Sequence, residues 1–86
     1  MSTPIFIYEA KKAIVNYYIK HNKDNGNGLS IGDVYVVWYC KTLQNIKALF
    51  GTPIDDGMYY ECTFDGIENR MYINAYKIID QEIINF

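Results

Sequence analysis

The residues best suited to chemistry in this chain are aromatic and amide side chains set among a few cations. Trp38, Tyr59, Tyr60 and Tyr72 offer rings, Gln44 and Asn45 offer paired donors and acceptors, and Lys41, Lys47 and Arg70 offer positive charge; Tyr35, Tyr39 and Tyr76 belong to the same stretch. Rings stack on bases, amides read base or ribose edges, and Lys or Arg neutralises phosphate, so the set suits a small nucleotide or single-stranded nucleic acid. The alternative is that tyrosines cover a small sheet or a subunit interface with their hydroxyls in water.

Catalytic constellations are poorly supported. A Cys/His nucleophile pair would need His21, the one histidine, to reach Cys40 or Cys62, with a third group to orient it, and no spacing in the sequence suggests this. Asp55, Asp56, Glu61, Asp65 and Glu68 could supply a carboxylate pair, yet Asp55-Asp56-Gly57 is also an ordinary polar turn. Without CxxC or HxxxH spacing a zinc site lacks ligands. A calcium loop running from Asn22 to Asp33 would have Asp24 at its third position, but Gly26 at the fifth and Asn27 where glycine is required. The glycines Gly26 and Gly28 lack the following Lys-Ser/Thr of a phosphate loop. The expected chemistry is therefore binding without catalysis, with no metal and no cofactor.

The elements that must carry these residues fit one domain. The chain has 86 residues and 10.0 kDa, and a formal charge of −2, which gives no general attraction to a duplex phosphate backbone. One Trp, nine Tyr and four Phe are many for a domain that buries only about 60–65% of its unfolded surface, so some rings belong in a pocket or an interface. The longest apolar run, Val34 to Cys40, is far below the roughly 20 residues of a membrane span. Met1-Ser2-Thr3-Pro4 carries no positive charge that would open a signal peptide, so a cytoplasmic location is expected. Cys40 and Cys62 sit in β-branched or aromatic runs and read as small buried hydrophobes.

Thr3-Pro4 opens a helix that runs to about His21, with Ile7, Ala10, Ile14 and Tyr17/Tyr18 on its apolar side. Asn22 to Gly28 is a breaker loop. Asp33 to Thr42 reads as a strand with Val34, Val36, Trp38 and Cys40 on one face and Tyr35, Val37, Tyr39 and Lys41 on the other; a helix opened by Ser30-x-x-Asp33 is the alternative. Ile46 to Gly51 makes a hairpin with it, and Met58 to Phe64 alternates cleanly, with Met58, Tyr60, Cys62 and Phe64 facing inward. A short strand from Arg70 to Ile73 pairs back, and Ala75 to Ile84 closes as a helix on Ile78, Ile79 and Ile83. The fold class is α+β, ordered α-β-β-β-β-α, with a four-stranded antiparallel meander and helices packed on one face. Because the sheet is apolar on both faces, the second face needs a partner, and a homo-oligomer is expected. Residues 34–54 carry Lys41 and Lys47 without an acid, while 55–68 carry acids without a base; this suggests a cationic floor beside aromatic walls, or simply cross-strand charge pairs.

Three stretches, Asp33-Val34-Tyr35-Val36-Val37-Trp38-Tyr39-Cys40-Lys41-Thr42-Leu43-Gln44-Asn45-Ile46-Lys47-Ala48-Leu49, Asp56-Gly57-Met58-Tyr59-Tyr60-Glu61 and Tyr72 to Lys77, resemble a family of small proteins of unknown function encoded by phages and prophages of Gram-positive bacteria. The resemblance spans about residues 5 to 80 and implies an accessory, anti-defence role. Such a protein would sequester a small nucleotide-derived immune signal, such as a cyclic ADP-ribose isomer or cyclic dinucleotide, in a homo-oligomer's pocket. Alternatively it would block a host defence protein, as an anti-CRISPR or anti-restriction protein does, or act as a phage interaction module. The resemblance implies no catalytic residues, and Ile46 stands where the family pattern often has a second aromatic.

Overall fold

The computed structural model describes residues 1–22 and 28–86; most of the breaker loop and the centre of the calcium-loop reading lie outside the described residues. Helix α1, Thr3–His21, starts one residue earlier than the sequence pattern places it, because Ser2 is the cap: its Oγ accepts from the Ile5 amide at 3.4 Å. Thr3 and Pro4 then fill the first helical positions, where a missing amide costs nothing. The buried stripe is Phe6, Ala10, Ile14, Val15 and Tyr18, with Ile7 and Tyr17 at its margins, so the apolar face is centred slightly away from the expected one. Ser30-x-x-Asp33 forms a single 3-10 turn, Ile31–Asp33, and not a helix. Asp33 Oδ2 accepts from both the Ser30 amide and the Ser30 hydroxyl at 2.9 Å, which holds the Asp33 carboxyl below its usual range.

The meander is as expected: β1 (Tyr35–Thr42), β2 (Asn45–Gly51), β3 (Met58–Asp65) and β4 (Arg70–Lys77), antiparallel and in chain order across the sheet. Ile46, Ala48 and Phe50 of β2 and Tyr60, Cys62 and Phe64 of β3 are buried against α1 with Val34 and Leu29, forming the core. One expected element is absent. Residues 75–77, read as the start of a second helix, continue β4 and pair with Met58, Tyr59 and Tyr60, and 78–86 take no regular structure. A ladder partner was available along the whole of β3, and the nine residues beyond it are too few to hold an isolated helix. Among the described residues a single α-helix therefore packs on the sheet, and the opposite face is open. Among the described residues no helix is long and apolar enough to cross a membrane.

The two hairpin turns are fastened to each other. The Asn45 side-chain oxygen accepts from the Gly66 amide at 3.1 Å, and the Gln44 backbone presses so closely on the Gly66 Cα that a Cβ there would collide with the Gln44 carbonyl oxygen. Backbone has nowhere to retreat, so Gly66→Ala is expected to lower stability by about 2 kcal/mol or more, read as a shift of the urea midpoint at unchanged slope. Asp65 supports the same turn by accepting from the amides of Ile67 and Glu68.

Candidate functional site

Residues paired directly across antiparallel strands share a face, so the ladder sorts the candidate residues. Ile46, Ala48 and Phe50 face α1, and their partners on β1 are Lys41, Tyr39 and Val36. The outward residues Lys47 and Leu49 pair with Cys40 and Trp38. The pairing slips between Val36 and Trp38, a bulge that leaves Val37 without a partner. Beyond it every β1 side chain changes face relative to simple alternation. Trp38 and Cys40 therefore join Tyr35 on the open face, while Tyr39 and Lys41 move to the helix side with Val36, correcting the expected grouping.

The open face carries Tyr35, Trp38, Tyr59, Tyr72 and Tyr76, all exposed, around Lys47, Glu61 and Thr63. Tyr35 lies over Gly51, whose absent side chain makes room: a Cβ would fall 2.6 Å from the ring. Tyr59 and Tyr76 stack at 5.3 Å between centroids and 24° between planes. The Tyr76 hydroxyl donates to Glu61 Oε1 at 3.4 Å, and Lys47 Nζ lies 3.7 Å from the same oxygen. The Glu61 carboxylate pushes the Tyr76 phenol above its ordinary pKa, keeping it protonated as the donor. Beside this network a shallow groove of about 430 Å³ runs along Trp38, Cys40, Thr42, Asn45, Lys47 and Thr63. One ring, Trp38, and one cation, Lys47, border it with Cys40 and two threonines, and its lining is mostly apolar.

The structure brings Trp38, Lys47, Tyr59 and Tyr72 onto this face, with Asn45 at the groove's end. The other candidates lie elsewhere. Tyr60 is 2% exposed and packs edge-on against Tyr17 at 5.8 Å, so its ring belongs to the core. Burial pushes its phenol pKa up, with Asp56 adding to the effect. Lys41 and Gln44 line a separate cavity of about 390 Å³ on the helix side, with Met1, Leu43 and Phe64. Arg70 sits at the turn end of β4, 3.3 Å from Glu68. The side-chain oxygen of Asn45 is engaged with Gly66, as described above, which gives this residue a structural role at the turn without a ligand. The cations therefore do not converge.

Sequence reasoning missed a polar cleft of about 250 Å³ where the end of α1 meets the sheet, lined by Tyr17, His21, Asn22, Asp56, Tyr60 and Lys77. His21 stacks on Tyr17 at 4.0 Å, and its Nδ1 lies 2.9 Å from the Tyr17 carbonyl oxygen. Asp56 accepts from the Met58 amide at 3.0 Å. The only signal for this cleft was a histidine in the last helical turn, and its neighbours come from stretches far apart in sequence. Neither thiol meets it: Cys40 is on the open face, and Cys62 is fully buried, its pKa pushed up to about 12 chiefly by desolvation. Among the described residues no three of His, Cys, Asp and Glu gather as metal ligands.

The family described as "Family of unknown function (DUF6275)" matches residues 7–86, from the first turns of α1 through the arm beyond β4. The chain belongs to this family. The matched span includes most of α1, the whole sheet, both fastened hairpins and the open aromatic face. No curated protein and no solved structure matches the chain.

Proposed function

We propose that this chain is a non-catalytic binding module whose working surface is the open face of the sheet, and that it sequesters a small nucleotide-derived signal. The observation that carries this reading is the groove beside Trp38, where an indole, the Lys47 ammonium and small polar groups border a space of nucleoside size. A base would stack on Trp38, a phosphate would draw Lys47 away from Glu61, and Tyr59 and Tyr72 would extend the stacking surface. Resemblance to phage accessory proteins supplies the setting: removing an immune signal in the host cytoplasm, so that a defence effector is not activated.

A second reading, inhibition of a host defence protein through the same face, is favoured by the spread of rings over an open sheet whose cations are already engaged by Glu61 and Glu68. The acidic stretch adds little to it, because Asp56 and Asp65 hold backbone amides and Glu61 and Glu68 hold cations. The discriminating experiment incubates the protein with cyclic ADP-ribose isomers and cyclic dinucleotides, removes it by filtration and denatures it. Intact ligand released on denaturation is the expected result. Altered ligand would indicate an enzyme, and undiminished ligand in the filtrate would leave the protein-inhibitor reading.

A further inference from the structure

Residues 78–86, Ile-Ile-Asp-Gln-Glu-Ile-Ile-Asn-Phe, place Ile78, Ile79, Ile83, Ile84 and Phe86 in water, with Ile79 95% and Ile83 82% exposed. So many large apolar side chains without cover in nine residues mark a segment that completes its packing elsewhere. The segment leaves the sheet still extended, since the Ile78 amide donates to the Gly57 carbonyl at 2.9 Å and prolongs the β3–β4 pairing. Its Ile and Phe content suits a strand.

The opposite edge of the sheet offers the complement. Strand β1 has a neighbour only on its β2 side among the described residues, so along eight residues its outer backbone groups are free to pair. Tyr35, Val37, Trp38 and Tyr39 are exposed there. Lys41 is the one charged residue of β1, whereas 78–86 carries Asp80 and Glu82 and no base. Lengths agree as well: nine extended residues reach about 30 Å and an eight-residue strand about 26 Å. The arm cannot serve its own β1. Three strand spacings separate β4 from β1, about 14 Å, so crossing would consume roughly four residues, and no Gly or Pro after β4 provides the reversal.

We propose that residues 78–86 of one copy pair as an added strand along the free edge of β1 in a second copy, reciprocally, giving a closed two-fold dimer. The exchange uses main-chain bonds for affinity and the Lys/acid contrast for direction, and it leaves the groove beside Trp38 facing solvent. It stands apart from the ligand reading, because nucleotide capture and dimerisation are measured separately.

Sedimentation of the 86-residue chain between about 1 and 200 µM is expected to show a monomer–dimer equilibrium. Gln81→Pro keeps every apolar side chain but removes one ladder donor and fixes the backbone, and the paired change Ile79→Asp with Ile83→Asp removes the apolar contacts. Each is expected to raise the dissociation constant by about 10-fold to 100-fold while thermal melts of the monomer stay unchanged. Hydrogen exchange should slow at β1 amides as the dimer forms. A strict monomer throughout, an open-ended ladder of oligomers, or a dimer indifferent to both sets of changes would overturn the proposal.

Discussion

Cys62→Asp is expected to leave the protein unfolded at neutral pH. The Cys62 side chain is fully buried on β3 between Ala48 of β2 and Ile73 of β4, its register partners. Its register partners are apolar, Lys47 lies on the other face of the sheet, and Lys41, on the same face, stands two strands away opposite Ile46. An unpaired buried charge costs several kcal/mol, comparable to the whole stability of a small domain. Far-UV circular dichroism at 25 °C is the measurement, and native-like ellipticity with a cooperative melt would contradict the placement. The wild-type thiol carries a milder form of the same penalty. Because the folded protein holds this thiol protonated up to about 12, against an ordinary thiol value of 9.0, its contribution is complete below pH 9 and is lost as pH rises towards 12. The loss approaches about 4 kcal/mol at the top of that window, and Cys62→Ala should remove that component of the alkaline slope.

Trp38→Ala is expected to weaken nucleotide capture by about 10-fold to 100-fold, the worth of one base-stacking ring, without lowering the melting temperature appreciably. Its ring is exposed and borders the groove. Lys41→Glu is the informative companion: it would abolish capture if the acid-free block formed one cationic surface. The bulge in β1 puts Lys41 on the helix side, lining a different cavity from Lys47, so capture should survive the reversal. Isothermal titration of both variants tests the face assignment directly. Equal loss in the two would mean that the ligand does not lie in the groove beside Trp38.

What could be read from the sequence follows from how local each signal is. Strand β3 was legible because its alternation is unbroken, and Met58, Tyr60, Cys62 and Phe64 do share the inward face. The order of the sheet followed from short hairpin connections, which leave neighbours in sequence adjacent in space. The bulge at Val37 was invisible, since Val36-Val37-Trp38 fits a strand in either register and the slip appears only in the pairing with Phe50 and Leu49. That single residue sent Trp38 to the open face and Lys41 to the helix side, the reverse of the expected assignment, although the two stand on opposite faces in either register. Residues 75–84 satisfied a helical period, but β3 offered Ala75, Tyr76 and Lys77 a complete ladder, and tertiary pairing overrode the local pattern. Asn45 looked like a base reader because an amide's partner cannot be inferred from its neighbours; Gly66, 21 residues beyond it, was that partner.

The bond between Asn45 and Gly66 also has a dynamic consequence. A meander is a chain of local hairpins, each of which could fray from its own turn at little cost to the others. Here the β1–β2 turn closes over the β3–β4 turn, so the Gly66 amide is released to solvent when a turn in the other hairpin opens. Fraying at this end of the sheet thus becomes a shared event, and one amide reports on the closure of both hairpins.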